Sequence, residues 1–93
     1  MGKFKVILSD RAKNDILEIQ RSGDKSSKRK VEVIISELFE HPESGVGKPE
    51  QLKFDYSGYW SRRINKKDRM IYRIEHNTVI VYVVSGRGHY YDK

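Results

Sequence analysis

Apolar and polar positions alternate near the start of the chain, then take up a helical period. Phe4, Val6 and Leu8 interleave with Lys5 and Ile7, so residues 4–9 read as a short strand. Ala12, Ile16 and Ile19 recur at helical spacing with Leu17 beside them, which predicts a helix to about Arg21. Ser9 or Asp10 caps it by accepting a hydrogen bond from a free N–H of the first turn. Ser22-Gly23-Asp24 breaks the chain. Val31, Ile34, Ile35 and Leu38 follow the i, i+3, i+4, i+7 rule, which predicts a second helix capped by Ser26 or Ser27. It ends near His41-Pro42, where proline stops it. Two amphipathic helices joined this closely form a hairpin that must cover an apolar surface.

That surface lies downstream. Residues 43–49 have loop composition. Strands are predicted at 59–64, 69–74 and 78–84, with turns at 65–68 and 75–77, giving an antiparallel meander. Alternation puts Arg69, Ile71 and Arg73 on one face of the middle strand and Met70, Tyr72 and Ile74 on the other. The second set is more apolar and is assigned to the core, leaving Arg69 and Arg73 on the open face. Residues 79–84 are apolar on both faces and do not discriminate. The expected fold is therefore α+β, a single domain over residues 1–93. Two N-terminal helices pack on one face of a twisted, mostly antiparallel sheet in the order β-α-α-β-β-β.

Composition narrows the chemistry. The chain has 93 residues, enough for one modest core, and a net charge of +6. Without cysteine it has no disulfide and no thiolate zinc site. Its three histidines are widely spaced, so no metal and no cofactor is expected. No run approaches the ~18 apolar residues of a membrane span. The first residues lack a signal peptide's long apolar stretch, so no membrane association and a cytoplasmic location are expected. The charge is uneven: residues 1–47 carry nine Lys and Arg against eight Asp and Glu, whereas residues 48–93 carry ten against five. Clustered basic charge is the electrostatic footprint of phosphate-binding proteins, so the second half is expected to meet a polyanion.

Candidate residues sit in that half. Arg63 ends one predicted strand and Arg69 begins the next. Glu50 and Lys53 follow a glycine-rich loop. His89-Tyr90 leaves the last strand, and imidazole exchanges a proton near neutral pH unaided. Each has a plainer reading: a solvated sheet edge for Arg69, a surface carboxylate for Glu50, a half-buried and satisfied imidazole for His89. Tyr59 and Trp60 read as sheet packing, His41 as a charge at a helix C-terminus, and His76 carries no signal.

Taken together, three stretches resemble a family. They are Gly47-Lys48-Pro49-Glu50-Gln51-Leu52-Lys53, Ser57-Gly58-Tyr59-Trp60-Ser61-Arg62-Arg63-Ile64 and Asp68-Arg69-Met70-Ile71-Tyr72, followed by His89-Tyr90. In this order they resemble the Txe/YoeB branch of the RelE-type toxins of bacterial toxin–antitoxin systems. The likeness is dense over residues 45–74 and resumes at His89; the first half matches mainly in element order. Two features depart from the family pattern: Gly88 stands where a bulkier residue is usual, and Tyr91-Asp92-Lys93 follow the His-Tyr pair.

The resemblance implies a fold related to microbial ribonucleases and an enzyme that cuts messenger RNA in the A site of the 70S ribosome. It implies Glu50 as general base, Arg69 as the phosphate-stabilising arginine, His89 as general acid and Tyr90 as a contact orienting the substrate base. Lys53, Arg62 and Arg63 are implied as RNA-backbone contacts. Because a carboxylate is a weak base, Glu50 either takes the proton or holds His89 or the ribose in place. The implied partners are a YefM/Phd-type antitoxin with an acidic C-terminal segment and a second copy of the chain. The basic half serves equally well a non-catalytic RNA- or ribosome-binding module, or a protein-interaction domain that takes an acidic disordered segment.

Overall fold

The computed structural model describes residues 3–88. Strand β1 (Lys5–Leu8) leads into helix α1 (Asp10–Arg21) and helix α2 (Lys25–Leu38). Strands β2 (Glu50–Gln51), β3 (Trp60–Arg63), β4 (Arg69–Glu75) and β5 (Ile80–Gly88) follow, with a 3₁₀ turn at Phe54–Tyr56 between β2 and β3. They form one five-stranded sheet in the order β1-β5-β4-β3-β2. The β2-β3-β4-β5 pairings are antiparallel; β1 runs parallel to β5. A parallel neighbour needs a long crossover, and the helical hairpin is part of it. Among the described residues, no helix is long and apolar enough to cross a membrane.

The hairpin buries the faces its periodicity predicts. Ala12, Ile16 and Ile19 of α1 and Val31, Ile34 and Leu38 of α2 are buried against Met70, Tyr72, Val81 and Val83 of the sheet. Met70 and Tyr72 are fully buried and Ile74 packs on the same cluster, as the alternation of β4 requires. Ser9 caps α1: its Oγ accepts from Ala12 N–H at 3.0 Å. The same hydroxyl donates to the Val84 carbonyl at 3.0 Å, so the cap also pins β5.

Three boundaries differ from expectation. Asp24, not Ser26 or Ser27, caps α2, because its carboxylate reaches both Ser27 N–H (3.1 Å) and Ser27 Oγ–H (2.7 Å). These bonds hold the Asp24 carboxyl below its ordinary pKa. Helix α2 ends at Leu38, before Pro42, because the Phe39 carbonyl accepts from Phe4 N–H (2.7 Å) and His41 N–H turns back to donate to the Glu37 carbonyl. Strand β5 starts at Ile80 rather than 78, since Val79 is left-handed (φ 57°) and still belongs to the turn.

Arg62 corrects the expectation that it binds substrate. It is 0% exposed. Ser61, Arg62 and Arg63 alternate across β3, and Arg62 is the one that points to the helix side. Its Nε donates to Tyr72 Oη (3.1 Å), and Nη1 donates to Glu37 Oε1 (2.6 Å) and Val46 O (3.4 Å). Nη2 donates to His41 O (2.9 Å) and Ser44 O (2.7 Å). A guanidinium has five N–H donors, so none is left for RNA. Tyr72 Oη in turn donates to Pro42 O at 2.6 Å. A Cβ on Gly45, which is left-handed (φ 125°), would overlap the Glu37 carboxylate.

This network predicts that Arg62→Ala costs about 3–5 kcal/mol in urea unfolding, the scale of a buried ion pair that loses one partner. Burial raises the Tyr72 phenol above its ordinary pKa, outweighing the Arg62 hydrogen bond and charge that pull it down. A raised folded pKa gives stability that is complete below about pH 10 and is lost as pH rises through the folded value. Tyr72→Phe is therefore expected to be about 1–3 kcal/mol less stable near neutrality, with the gap to the parent narrowing above pH 10 in alkaline denaturation.

Candidate functional site

The register of the sheet puts three of the candidate residues, Glu50, Arg63 and Arg69, on the face away from the helices. Glu50 pairs with Ser61, Ser61 with Ile71, and Arg63 with Arg69. Paired residues share a face, and Arg62 and Met70 occupy the other. Glu50, Arg63, Arg69 and Arg73 therefore lie on one side. From strand spacing and rise, the Glu50 and Arg69 backbones are about 12 Å apart, within the combined reach of the two side chains. Glu50 and Arg63 are exposed and Arg69 is half-buried. Arg73 is committed elsewhere: it lies 4.4 Å over the Tyr82 ring and pairs with Glu75.

The loop before Glu50 is built to approach β3. Gly47 O accepts from Arg63 N–H at 2.7 Å. Gly47 is left-handed (φ 82°), and a Cβ there would sit 2.9 Å from the Arg63 carbonyl oxygen. Pro49 then delivers Glu50 to the sheet edge. Leu52 N–H bonds to Tyr59 O at 2.9 Å, which closes the β2–β3 loop, and exposed Lys53 follows immediately.

Arg63 and Arg69 flank the turn at residues 64–68. Directly opposed like charges repel, so this turn must be held. Asn65 Oδ1 accepts from Lys67 N–H (2.9 Å) and Asp68 N–H (2.8 Å). Asn65 Nδ2 donates to Asp68 Oδ2 (3.1 Å) and to Ser27 Oγ (2.9 Å). Ser27 carries the chain of bonds to Asp24, so the cap of α2 braces the turn that sets the two guanidinium groups. Sequence reading missed this tie; Asn65 and Asp68 signal a turn, but nothing local links them to Ser27.

Strand β5 is held by α1. Asp15 Oδ2 accepts from Gly86 N–H (3.1 Å) and Ser85 Oγ–H (3.3 Å). A Cβ on Gly86 would press on Ile16 and Asp15 at 3.1–3.2 Å, so a side chain there would need those neighbours on the helix to give by a few tenths of an ångström. The β4–β5 register shifts between Arg69 and Ile71 and again between Ile71 and Tyr72, bringing Gly88 opposite Arg69. His89 and Tyr90 lie outside the described residues. Among the described residues no cluster of three His, Cys, Asp or Glu side chains has the arrangement to hold a metal ion. The chemistry this face offers is two ionised guanidinium groups side by side, suited to phosphate oxygens, with a carboxylate on the neighbouring strand.

Residues 9–90 match the family model described as the YoeB-like toxin of bacterial type II toxin–antitoxin systems. The chain is 37% identical over 87 residues to the toxin YoeB of Synechocystis, covering 94% of this chain and 98% of that one. It is 35% identical over 87 residues to the toxin YoeB of Escherichia coli K12, covering 94% and 100%. Among solved structures, the YoeB/ParE toxin of Agrobacterium tumefaciens superposes with a TM-score of 0.80 at 33% identity, covering 94% and 100%. The heterotetrameric YoeB–YefM toxin–antitoxin complex of Staphylococcus aureus gives 0.74 at 31% identity, covering 94% and 98%. The sheet, its helical cover and these likenesses agree: the chain belongs to the YoeB-like toxins of bacterial type II toxin–antitoxin systems.

Proposed function

We propose that this toxin inhibits translation as a ribosome-dependent endoribonuclease that cuts messenger RNA in the A site. The observation that carries this reading is the pairing of Arg69 with both Arg63 and Gly88, on the face that bears Glu50. Gly88 immediately precedes His89 in sequence. In the reaction, Glu50 removes the proton of a ribose 2′-hydroxyl, and the freed oxygen attacks the adjacent phosphorus. The bond from phosphorus to the 5′-oxygen breaks, and His89 protonates that oxygen as it leaves. The products carry a 2′,3′-cyclic phosphate and a 5′-hydroxyl. Arg69, with Arg63 and Lys53, meets the charge that builds on the phosphate oxygens. Tyr90 orients the substrate base.

The openness of the face fits a dependence on the ribosome. Glu50, Lys53 and Arg63 are exposed, so little in the protein itself fixes the substrate. Alignment of reacting groups is worth several kcal/mol, and a codon held in the A site supplies it. The toxin then acts in the cytoplasm. Its antitoxin partner is of the YefM type, the type of the Staphylococcus aureus complex; an acidic segment of that partner would complement the basic face. Self-association is also proposed, in line with the YoeB dimer of the same organism.

Arg69→Ala and His89→Ala are each expected to slow cleavage on programmed ribosomes by roughly a hundred- to ten-thousand-fold, with the fold intact. Parental turnover in the His89 variant removes the assignment. Because Arg63 opposes a like charge, Arg63→Gln should hold or raise the unfolding free energy measured in urea, by up to about 1 kcal/mol, while weakening RNA binding and flattening its salt dependence. An unchanged salt slope would free Arg63 of a backbone-binding role.

A further inference from the structure

The loop that joins β2 to β3 carries an aromatic residue the fold does not use. Phe54 is 73% exposed, the most exposed of the large apolar side chains described. Its backbone is left-handed (φ 60°), a conformation that bulky L-residues avoid. No residue of its 3₁₀ turn is buried, so packing does not repay the strain. The turn is nonetheless fixed, by Tyr56 N–H to Lys53 O (3.1 Å), Ser57 N–H to Phe54 O (3.0 Å) and Tyr59 N–H to Tyr56 O (3.0 Å). Strain that is held rather than relieved, at an exposed position, points to a ligand contact.

The register says which ligand. Leu52 bonds to Tyr59, Glu50 pairs with Ser61, and Arg63 pairs with Arg69. Along β3 the order is therefore loop tip, carboxylate, arginine pair, and the strand rises about 13 Å from Tyr59 to Arg63. A short stretch of single-stranded RNA spans that distance. With its phosphate at the arginines and its ribose at Glu50, a neighbouring base reaches the loop tip. Exposed Lys53 precedes Phe54 and exposed Asp55 follows it, so the positive charge of this path lies chiefly with Arg63 and Arg69 at its far end, where it complements a nucleic-acid backbone rather than an apolar protein.

We propose that Phe54 is a nucleobase-stacking residue that holds a base next to the one at the cleavage position; this rests on the ribonuclease reading for the site it flanks. Stacking is tolerant of base identity because every base has a π-face. It would therefore add affinity and register rather than a strict sequence code.

The test needs no cleavage. A short RNA with methylated 2′-oxygens, which cannot be cut, and one 2-aminopurine is titrated with the full chain, beside a matched abasic strand. The parent should quench 2-aminopurine fluorescence, and Phe54→Ala should bind about five- to a hundredfold more weakly. Phe54→Trp should restore binding. On the abasic strand the parent and Phe54→Ala should be equal, whereas Arg69→Ala should lose affinity for both strands. Phe54→Asn, which tolerates the left-handed backbone, should keep or raise the melting temperature while losing the base-dependent binding. Equal binding of both strands by parent and Phe54→Ala would overturn the proposal. So would failure of Trp to restore binding, or a smaller sedimenting species in Phe54→Ala, which would make the residue a protein–protein contact. Quenching that persists in a protein that never cleaves messenger would end the ribonuclease reading and leave the stacking role supported.

Discussion

One buried guanidinium orders the molecule. Taking a charge out of water costs several kcal/mol, and Arg62 offsets that cost with an ion pair and a bond for every donor it has. Its partners come from the end of α2, from the loop that follows and from β4. Without it, residues 41–46 would have little reason to fold back on the sheet, since most of them are exposed. That loop leads directly into Gly47, which bonds to Arg63 and sets up Glu50. The face proposed for chemistry therefore depends on an ion buried on the opposite face.

Adjacent arginines thus have opposite fates. Strand alternation turns Arg62 inward and Arg63 outward, where it opposes Arg69. Two like charges face each other there, and the turn between them is tied by Asn65 and Ser27 to the cap of the second helix. Asp15 performs the matching task for β5 from the first helix. The helices are more than a cover for the core. Each sends a polar side chain, Asp15 or Ser27, to a turn or strand end beside the candidate site, a layout that keeps repulsive groups in place by remote hydrogen bonds.

Much of this was legible in the sequence. The helical periods of Ala12-Ile16-Ile19 and Val31-Ile34-Leu38 marked the buried faces, and the alternation of Met70 and Tyr72 against Arg69 and Arg73 sorted the faces of β4. The short strand at Glu50–Gln51 was not visible, because two residues show no period. The role of Arg62 was not visible either: a pair of arginines in a basic segment looks uniformly suited to RNA, and only the strand phase separates them. Asp24, Ser26 and Ser27 are all capping residue types standing close together, so only geometry picks out Asp24 as the cap. Periodicity gives no roles to Glu50, Lys53, Arg69, His89 and Tyr90; the roles proposed for them rest on the resemblance to a toxin family.

The central claim is that a carboxylate, a guanidinium and an imidazole divide the work on one phosphodiester. Sulfur in place of the bridging 5′-oxygen leaves without needing a proton, so it tests the imidazole's role directly. Cleavage of such an A-site messenger on ribosomes should be restored in His89→Ala to near the parental rate, and should stay slow in Arg69→Ala. If sulfur rescues neither variant, or both alike, the proposed division of labour is wrong.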